Sequence, residues 1–141
     1  MQKKSKDPLL KDIFVASIDI GTNSTHLLIA QINEELKSFT IKFTEKSTTR
    51  LGERDEEGNL REDAIQRVLT TLKRFKDYCM SYNVDTILSA ATSAVRESPN
   101  GRDLISRIKD DIGFDIELIS GVEEARLIYL GVLSGMALED K

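Results

Sequence analysis

The stretch Asp19-Ile20-Gly21-Thr22-Asn23-Ser24 joins two apolar runs, residues 13–20 and 25–32. An aspartate at the end of a buried strand, followed by a glycine and short polar residues, is typical of a tight hairpin. The backbone amides of such a hairpin can converge on an anion. Its carboxylate can hold a divalent cation among phosphate oxygens. The stretch therefore indicates phosphate chemistry, although an ordinary turn accounts for the same residues.

Composition is that of one globular domain. The chain has 141 residues, of which 40% are hydrophobic and 31% charged, and no window reaches the roughly 18 apolar residues of a membrane span. Residues 1–12 are polar, lack a signal-peptide pattern and are expected to form a flexible lead. The single cysteine, Cys79, excludes an internal disulfide, fits a reducing cytoplasm and lies at core spacing. We therefore expect a cytoplasmic protein without a membrane anchor.

The charge balance argues against a general nucleic-acid binder. The formal net charge is -4, whereas proteins that bind DNA through its backbone present a basic surface. If the protein binds a polyanion, it must do so with a few local side chains and metal ions rather than through its overall charge.

The first third of the chain reads as a meander of three strands. The run 13–20 is apolar enough for a central strand covered on both faces. Residues 25–32 follow after the turn, and residues 38–46 alternate, with Phe39, Ile41 and Phe43 predicted on one side.

Helical periodicity follows a polar loop at residues 47–60. One buried face is predicted from apolar residues spaced three and four apart: Ile65, Val68, Leu69, Leu72, Phe75, Cys79 and Met80. Residues 84–90 then predict a strand, 102–112 a helix closed by Gly113, 114–119 a strand, and 122–136 a third helix.

The element order βββαβαβα predicts an α/β fold. A meander followed by two strand–helix crossovers gives a five-stranded mixed sheet with helices on its faces. This is the half-domain plan of the actin-like (ribonuclease H-like) ATPase fold. In such sheets ligands gather at strand ends, where residues 19–24, a loop at 92–96 and a loop at 120–124 are predicted to meet.

Three motifs together resemble a known family. They are residues 19–24, the stretch Ala91-Thr92-Ser93-Ala94-Val95-Arg96-Glu97, and the stretch Ile119-Ser120-Gly121-Val122-Glu123-Glu124-Ala125-Arg126-Leu127-Ile128-Tyr129. In this order and at these separations they resemble the Ppx/GppA family of exopolyphosphatases and guanosine pentaphosphate phosphohydrolases. The resemblance extends from about Val15 to the end of the chain.

The resemblance implies a site and an activity. Glu124 matches the catalytic glutamate and Arg96 the active-site arginine, while Gly21, Thr22, Asn23 and Ser24 match the phosphate-binding loop. Asp19 is the implied ligand of a Mg²⁺ cofactor. The implied substrates are inorganic polyphosphate and guanosine penta- or tetraphosphate, and the implied assembly is a homodimer.

The resemblance also divides the chain. Residues 13–124 match the first actin-like subdomain, and residues 125–141 match a helix that leads to a second subdomain. The family's second glycine-rich phosphate loop is not in this sequence. We therefore expect an N-terminal half that is inactive by itself.

Several residues keep a second interpretation. Glu124 also suits an acidic helix start, and Arg96 suits a surface ion pair with Glu97 or Asp103. Asp19 can simply fix the hairpin, and His26 suits a packed or hydrogen-bonded strand position better than a catalytic one. Thr92 and Ser93 suit helix capping as well as phosphate binding, and the role of Arg50-Leu51-Gly52 stays open.

At the level of function, a non-catalytic actin-like module that binds nucleotide or phosphate is the alternative. A kinase of the same superfamily, which transfers phosphate to an acceptor rather than to water, is a third possibility.

Overall fold

The computed structural model describes residues 12–33 and 35–120. Residues 1–11 of the predicted lead, the third helix and the linking helix therefore lie outside the described residues, whereas Asp12, the last residue of the predicted lead, begins a strand. Three strands open the chain: β1 at Asp12–Ile20, β2 at Ser24–Asn33 and β3 at Ser38–Thr48. The remaining elements are α1 at Glu62–Ser81, β4 at Thr86–Ala91, α2 at Ser93–Glu97, α3 at Gly101–Asp111 and β5 at Glu117–Leu118.

The five strands form one mixed sheet in the order β3-β2-β1-β4-β5. The first three strands pair antiparallel, while β1 pairs parallel with β4, and β4 with β5. The predicted α/β fold is confirmed. In this topology the carboxyl ends of β1, β4 and β5 meet at one edge of the sheet.

The core lies between one face of the sheet and the helices. Alternate residues of β1 are almost fully buried and share a cluster with apolar side chains of α1 and α3, among them Val68, Leu72, Leu104 and Ile108. Cys79 lies in this cluster, as predicted. Met80 was predicted there wrongly: it is 66% exposed, because it follows Cys79 and points about 100° around the helix.

A bulge in β3 corrects a second prediction. Ile29 pairs with Phe43 and Ala30 with Ile41, which leaves Lys42 as an extra residue. A bulge reverses which face later side chains occupy. Phe43 therefore packs against Tyr78 of α1, with ring centroids 4.4 Å apart, whereas Ile41 points the other way and is 53% exposed.

The other face of the sheet is open in the described part of the chain. An apolar groove of about 740 Å³ runs along it and is lined partly by Asp19, Leu28, Leu88 and Ala90. Leu88 is 60% exposed. No helix within residues 12–33 and 35–120 is long and apolar enough to cross a membrane.

The start of α3 packs closely against α2, and this contact leads to a prediction about stability. A Cβ built on Gly101 would lie 1.8 Å from the carbonyl oxygen of Val95, so a side chain there forces the two helices apart. We expect Gly101→Ala to lower the free energy of unfolding by about 2 kcal/mol, as overpacking does. Urea denaturation measures the change. Ser106→Ala, on the exposed face of the same helix, is the control and is expected to leave stability nearly unchanged.

Candidate functional site

The aspartate hairpin forms as predicted at the carboxyl end of β1. The amide of Gly21 donates to the carbonyl oxygen of Ser24 over 2.9 Å and closes the turn. A Cβ on Gly21 would lie 3.0 Å from that same oxygen. Glycine therefore permits the tight approach of the two strand ends.

A second loop, residues 49–52, holds the hairpin from one side; we call it the brace. The amides of Thr49 and Arg50 donate to the carbonyl of Asn23, over 3.1 and 3.0 Å, and the amide of Gly52 donates to the carbonyl of Thr22 over 2.9 Å. In a planar trans peptide the carbonyl and the next amide point in opposite directions. The amides of Asn23 and Ser24 therefore face away from the brace, and successive amides on one side of a turn form an anion-binding nest.

The brace depends on two features that its sequence alone did not reveal. Arg50 has a left-handed backbone, with φ at 53°, which is uncommon for a residue with a side chain. A Cβ on Gly52 would lie 2.5 Å from the methyl carbon of Thr22. Beneath the brace, the buried hydroxyls of Thr25 and Thr49 are hydrogen-bonded over 2.9 Å.

A short helix, α2, lies where the sequence predicted a loop at residues 92–96. Ala94 and Val95 bury one side of it, and this apolar packing stabilises a turn too short to show helical periodicity. Thr92 was a candidate cap for this turn, but its side chain makes no capping hydrogen bond. Instead, the hydroxyl of Ser93 lies 3.1 Å from the hydroxyl of Thr22, which joins α2 to the hairpin.

Arg96 lies on α2 at the same edge of the sheet. Its Nη1 donates to the carbonyl of Ile119, which follows β5. Its Nη2 is 3.8 Å from a carboxylate oxygen of Glu97. One of the two surface ion pairs that the sequence suggested is therefore present, and the arginine is also fixed to the end of β5.

Asp19 lies one row inside the sheet from the hairpin. It pairs across β1 and β2 with His26 and lies beside Ala90 of β4, so its carboxyl lines the open face. Partial burial raises the pKa of the Asp19 carboxyl above its usual value, and the charge of His26 lowers that pKa in part. His26 is exposed on its strand rather than packed.

The structure brings together most of the predicted residues. Ser93 contacts the hairpin at Thr22, Arg96 lies on the same short helix at this edge, and Asp19 lies one row further inside the sheet. Glu124 lies outside the described residues. Within residues 12–33 and 35–120, no three side chains of the types that bind metals form a cluster. Asp19 fits a single Mg²⁺ ligand, because Mg²⁺ is usually held by one or two carboxylates, phosphate oxygens and water.

A comparison with known protein families identifies the family of this chain. Residues 28–141 match the model of the Ppx/GppA phosphatase family. The chain belongs to this family. The resemblance drawn from the three motifs is confirmed.

Relatives extend well beyond this chain. A bifunctional 3-dehydroquinate synthase/phosphatase of Fusobacterium nucleatum is 37% identical over 125 residues, which cover 84% of this chain and 19% of that protein. Exopolyphosphatase 1 of Mycobacterium tuberculosis is 29% identical over 116 residues, covering 82% of this chain and 33% of its own length. The chain thus spans a third or less of these family relatives.

Solved structures of the family share the fold. The Aquifex aeolicus Ppx/GppA family member superposes with a TM-score of 0.82 at 34% identity, covering 87% of this chain and 40% of that one. An exopolyphosphatase of Cytophaga hutchinsonii has a TM-score of 0.79 at 38% identity, with 84% and 38% covered. Both contain the described fold of this family member within a longer chain.

Proposed function

We propose that this chain is the N-terminal half of a magnesium-dependent phosphohydrolase. Its substrates would be inorganic polyphosphate, from which it releases terminal phosphate, guanosine pentaphosphate, from which it releases the 5′ phosphate, or both. One observation carries the proposal: the Thr22–Ser93 hydrogen bond joins the amide-lined hairpin to the helix that bears Arg96. Family membership supports phosphatase chemistry.

Hydrolysis of a phosphoanhydride depends on positioning and on charge stabilisation more than on covalent chemistry. In this proposal the amides of Asn23 and Ser24 bind oxygens of the reacting phosphate. Arg96 neutralises charge that develops in the transition state. A guanidinium has five donors, so the contacts of Arg96 to Ile119 and Glu97 leave donors for phosphate.

Asp19 supplies the metal ligand in the proposal. Bound Mg²⁺ would neutralise phosphate oxygens and orient the leaving phosphate chain. Asp19 lies behind the hairpin on the open sheet face. In the proposal its carboxyl group is ionised, because the negative charge is what binds the metal. Glu124, assigned through the family motif, would orient the attacking water and accept its proton.

The substrate assignment is tested by assaying the protein that comprises this chain and the family's second subdomain. Phosphate release from polyphosphate and from guanosine pentaphosphate is measured side by side in Mg²⁺. We expect release from at least one of the two, and loss of that release with EDTA. Phosphate release from neither substrate would reject the proposal.

The isolated 141-residue chain gives a separate prediction. The hairpin and Arg96 form one side of the proposed site, and the second glycine-rich loop of the family is not in this sequence. We expect phosphate release by the isolated chain to be near background under conditions in which the two-subdomain protein turns over. Comparable rates from both would show that the described residues with residues 121–141 form a complete site.

A further inference from the structure

Two arginines, Arg54 and Arg96, lie on or beside the segments that contact the hairpin, although the chain as a whole carries a net charge of -4. Arg54 follows the brace, and its amide donates to the carbonyl of Gly52 over 3.0 Å. Gly52 in turn donates to Thr22. Arg54 is thus connected to the hairpin, on the brace side, through two successive backbone hydrogen bonds. Arg96 lies on α2, which contacts the hairpin through Ser93.

The two arginines share one carboxylate. Glu97 places one oxygen 3.6 Å from Nη2 of Arg54 and the other 3.8 Å from Nη2 of Arg96. Both distances are longer than those of charge-assisted hydrogen bonds, and the Glu97 side chain is 57% exposed. One carboxylate balances only one of two positive charges, so this trio keeps a local charge of +1 with unused guanidinium donors.

We propose that Arg54 is a second anion-binding residue of this site. It contacts the phosphate group next along the chain from the one held by the hairpin and Arg96. The ligand class is a linear phosphoanhydride chain of at least two phosphates, and Glu97 holds both guanidiniums in place when no ligand is bound. This inference rests on the proposed function, because it takes the hairpin as the primary phosphate site.

A purely structural role for Arg54 makes a different prediction. If the ion pair only fastened the loop before α1 to α2, removing either partner would have the same effect. If Arg54 binds anion, the two changes act in opposite directions. Arg54→Gln removes a ligand contact, whereas Glu97→Gln removes a competing negative charge.

The test measures affinity of the 141-residue chain for tripolyphosphate and for orthophosphate by titration calorimetry at low ionic strength. We expect Arg54→Gln to weaken tripolyphosphate binding about fivefold, as one exposed charge contact allows, with orthophosphate binding little changed. Glu97→Gln is expected to strengthen tripolyphosphate binding. Lys109→Gln, which breaks the exposed ion pair with Asp115 at the far end of α3, is the charge-matched control and should leave both affinities unchanged.

Each other outcome is decisive. Weaker binding in both Arg54→Gln and Glu97→Gln would show a structural fastening and overturn the inference. An equal loss for orthophosphate and tripolyphosphate would place Arg54 at the primary phosphate instead. If the unmodified chain binds neither anion, this inference is overturned, and the proposed function is then decided by the assay of the two-subdomain protein.

Discussion

Glu124→Gln is expected to lower kcat for phosphate release by about 1,000-fold in the two-subdomain protein, with KM nearly unchanged. A positioned general base contributes about 100- to 10,000-fold. Glutamine keeps the size of glutamate and one acceptor oxygen, but its amide cannot accept the proton of water. Substrate binding, which the proposal assigns to the hairpin and Arg96, should persist. Steady-state kinetics with the preferred substrate give both constants.

Glu123→Gln provides the matched control, because it removes the same charge at the neighbouring position. It is expected to retain most of the turnover. Unchanged kcat in Glu124→Gln would eliminate Glu124 as the base. Equal losses in both variants would indicate a general effect of negative charge instead. A protein that binds phosphate chains but never turns them over would favour the alternative of a non-catalytic phosphate-binding module.

Gly52→Ala is expected to lower kcat/KM by about 100-fold. The added methyl group would lie 2.5 Å from the methyl carbon of Thr22, so either the brace or the hairpin must shift. A displacement of about 1 Å in a positioned group can reduce a rate by about 100-fold. Thr22 also contacts Ser93, so the shift reaches α2 and Arg96.

Gly58→Ala separates this effect from general destabilisation. Gly58 lies in the same polar loop and has φ at 83°, but a Cβ there meets nothing within 4 Å. The substitution therefore strains the backbone without pressing on the hairpin. Full activity in Gly52→Ala would contradict the role of the brace, and so would equal losses in Gly52→Ala and Gly58→Ala.

The main elements could be predicted because their signals are local. The apolar run before Asp19 identified β1, the spacing from Ile65 to Cys79 identified α1, and Gly113 marked the end of α3. Gly113 indeed has φ at 94° and donates to the carbonyl of Ile108. Each of these signals comes from side chains within a few turns or one strand.

The remaining features depend on contacts between distant segments. The bulge at Lys42 is set by how β3 pairs with β2 and leaves no mark in the alternation of β3 itself. Ser93 and Thr22 are 71 residues apart, so no spacing rule connects them. Likewise, the role of Gly52 follows from the methyl group of Thr22, and that of Arg54 from a carboxylate on α2. The sequence shows Gly52 and Arg54, but it does not predict their contacts with Thr22 and Glu97.

The measurement that tests the central claim most directly is the fate of the phosphoryl group in ¹⁸O-labelled water. The two-subdomain protein is incubated with its substrate and Mg²⁺, and the released phosphate is examined by mass spectrometry. Direct attack by water predicts one ¹⁸O atom in each phosphate released in a single turnover and a substrate shorter by one phosphate. Transfer of the phosphate to an acceptor, or release without label, would contradict the phosphohydrolase proposed for this site.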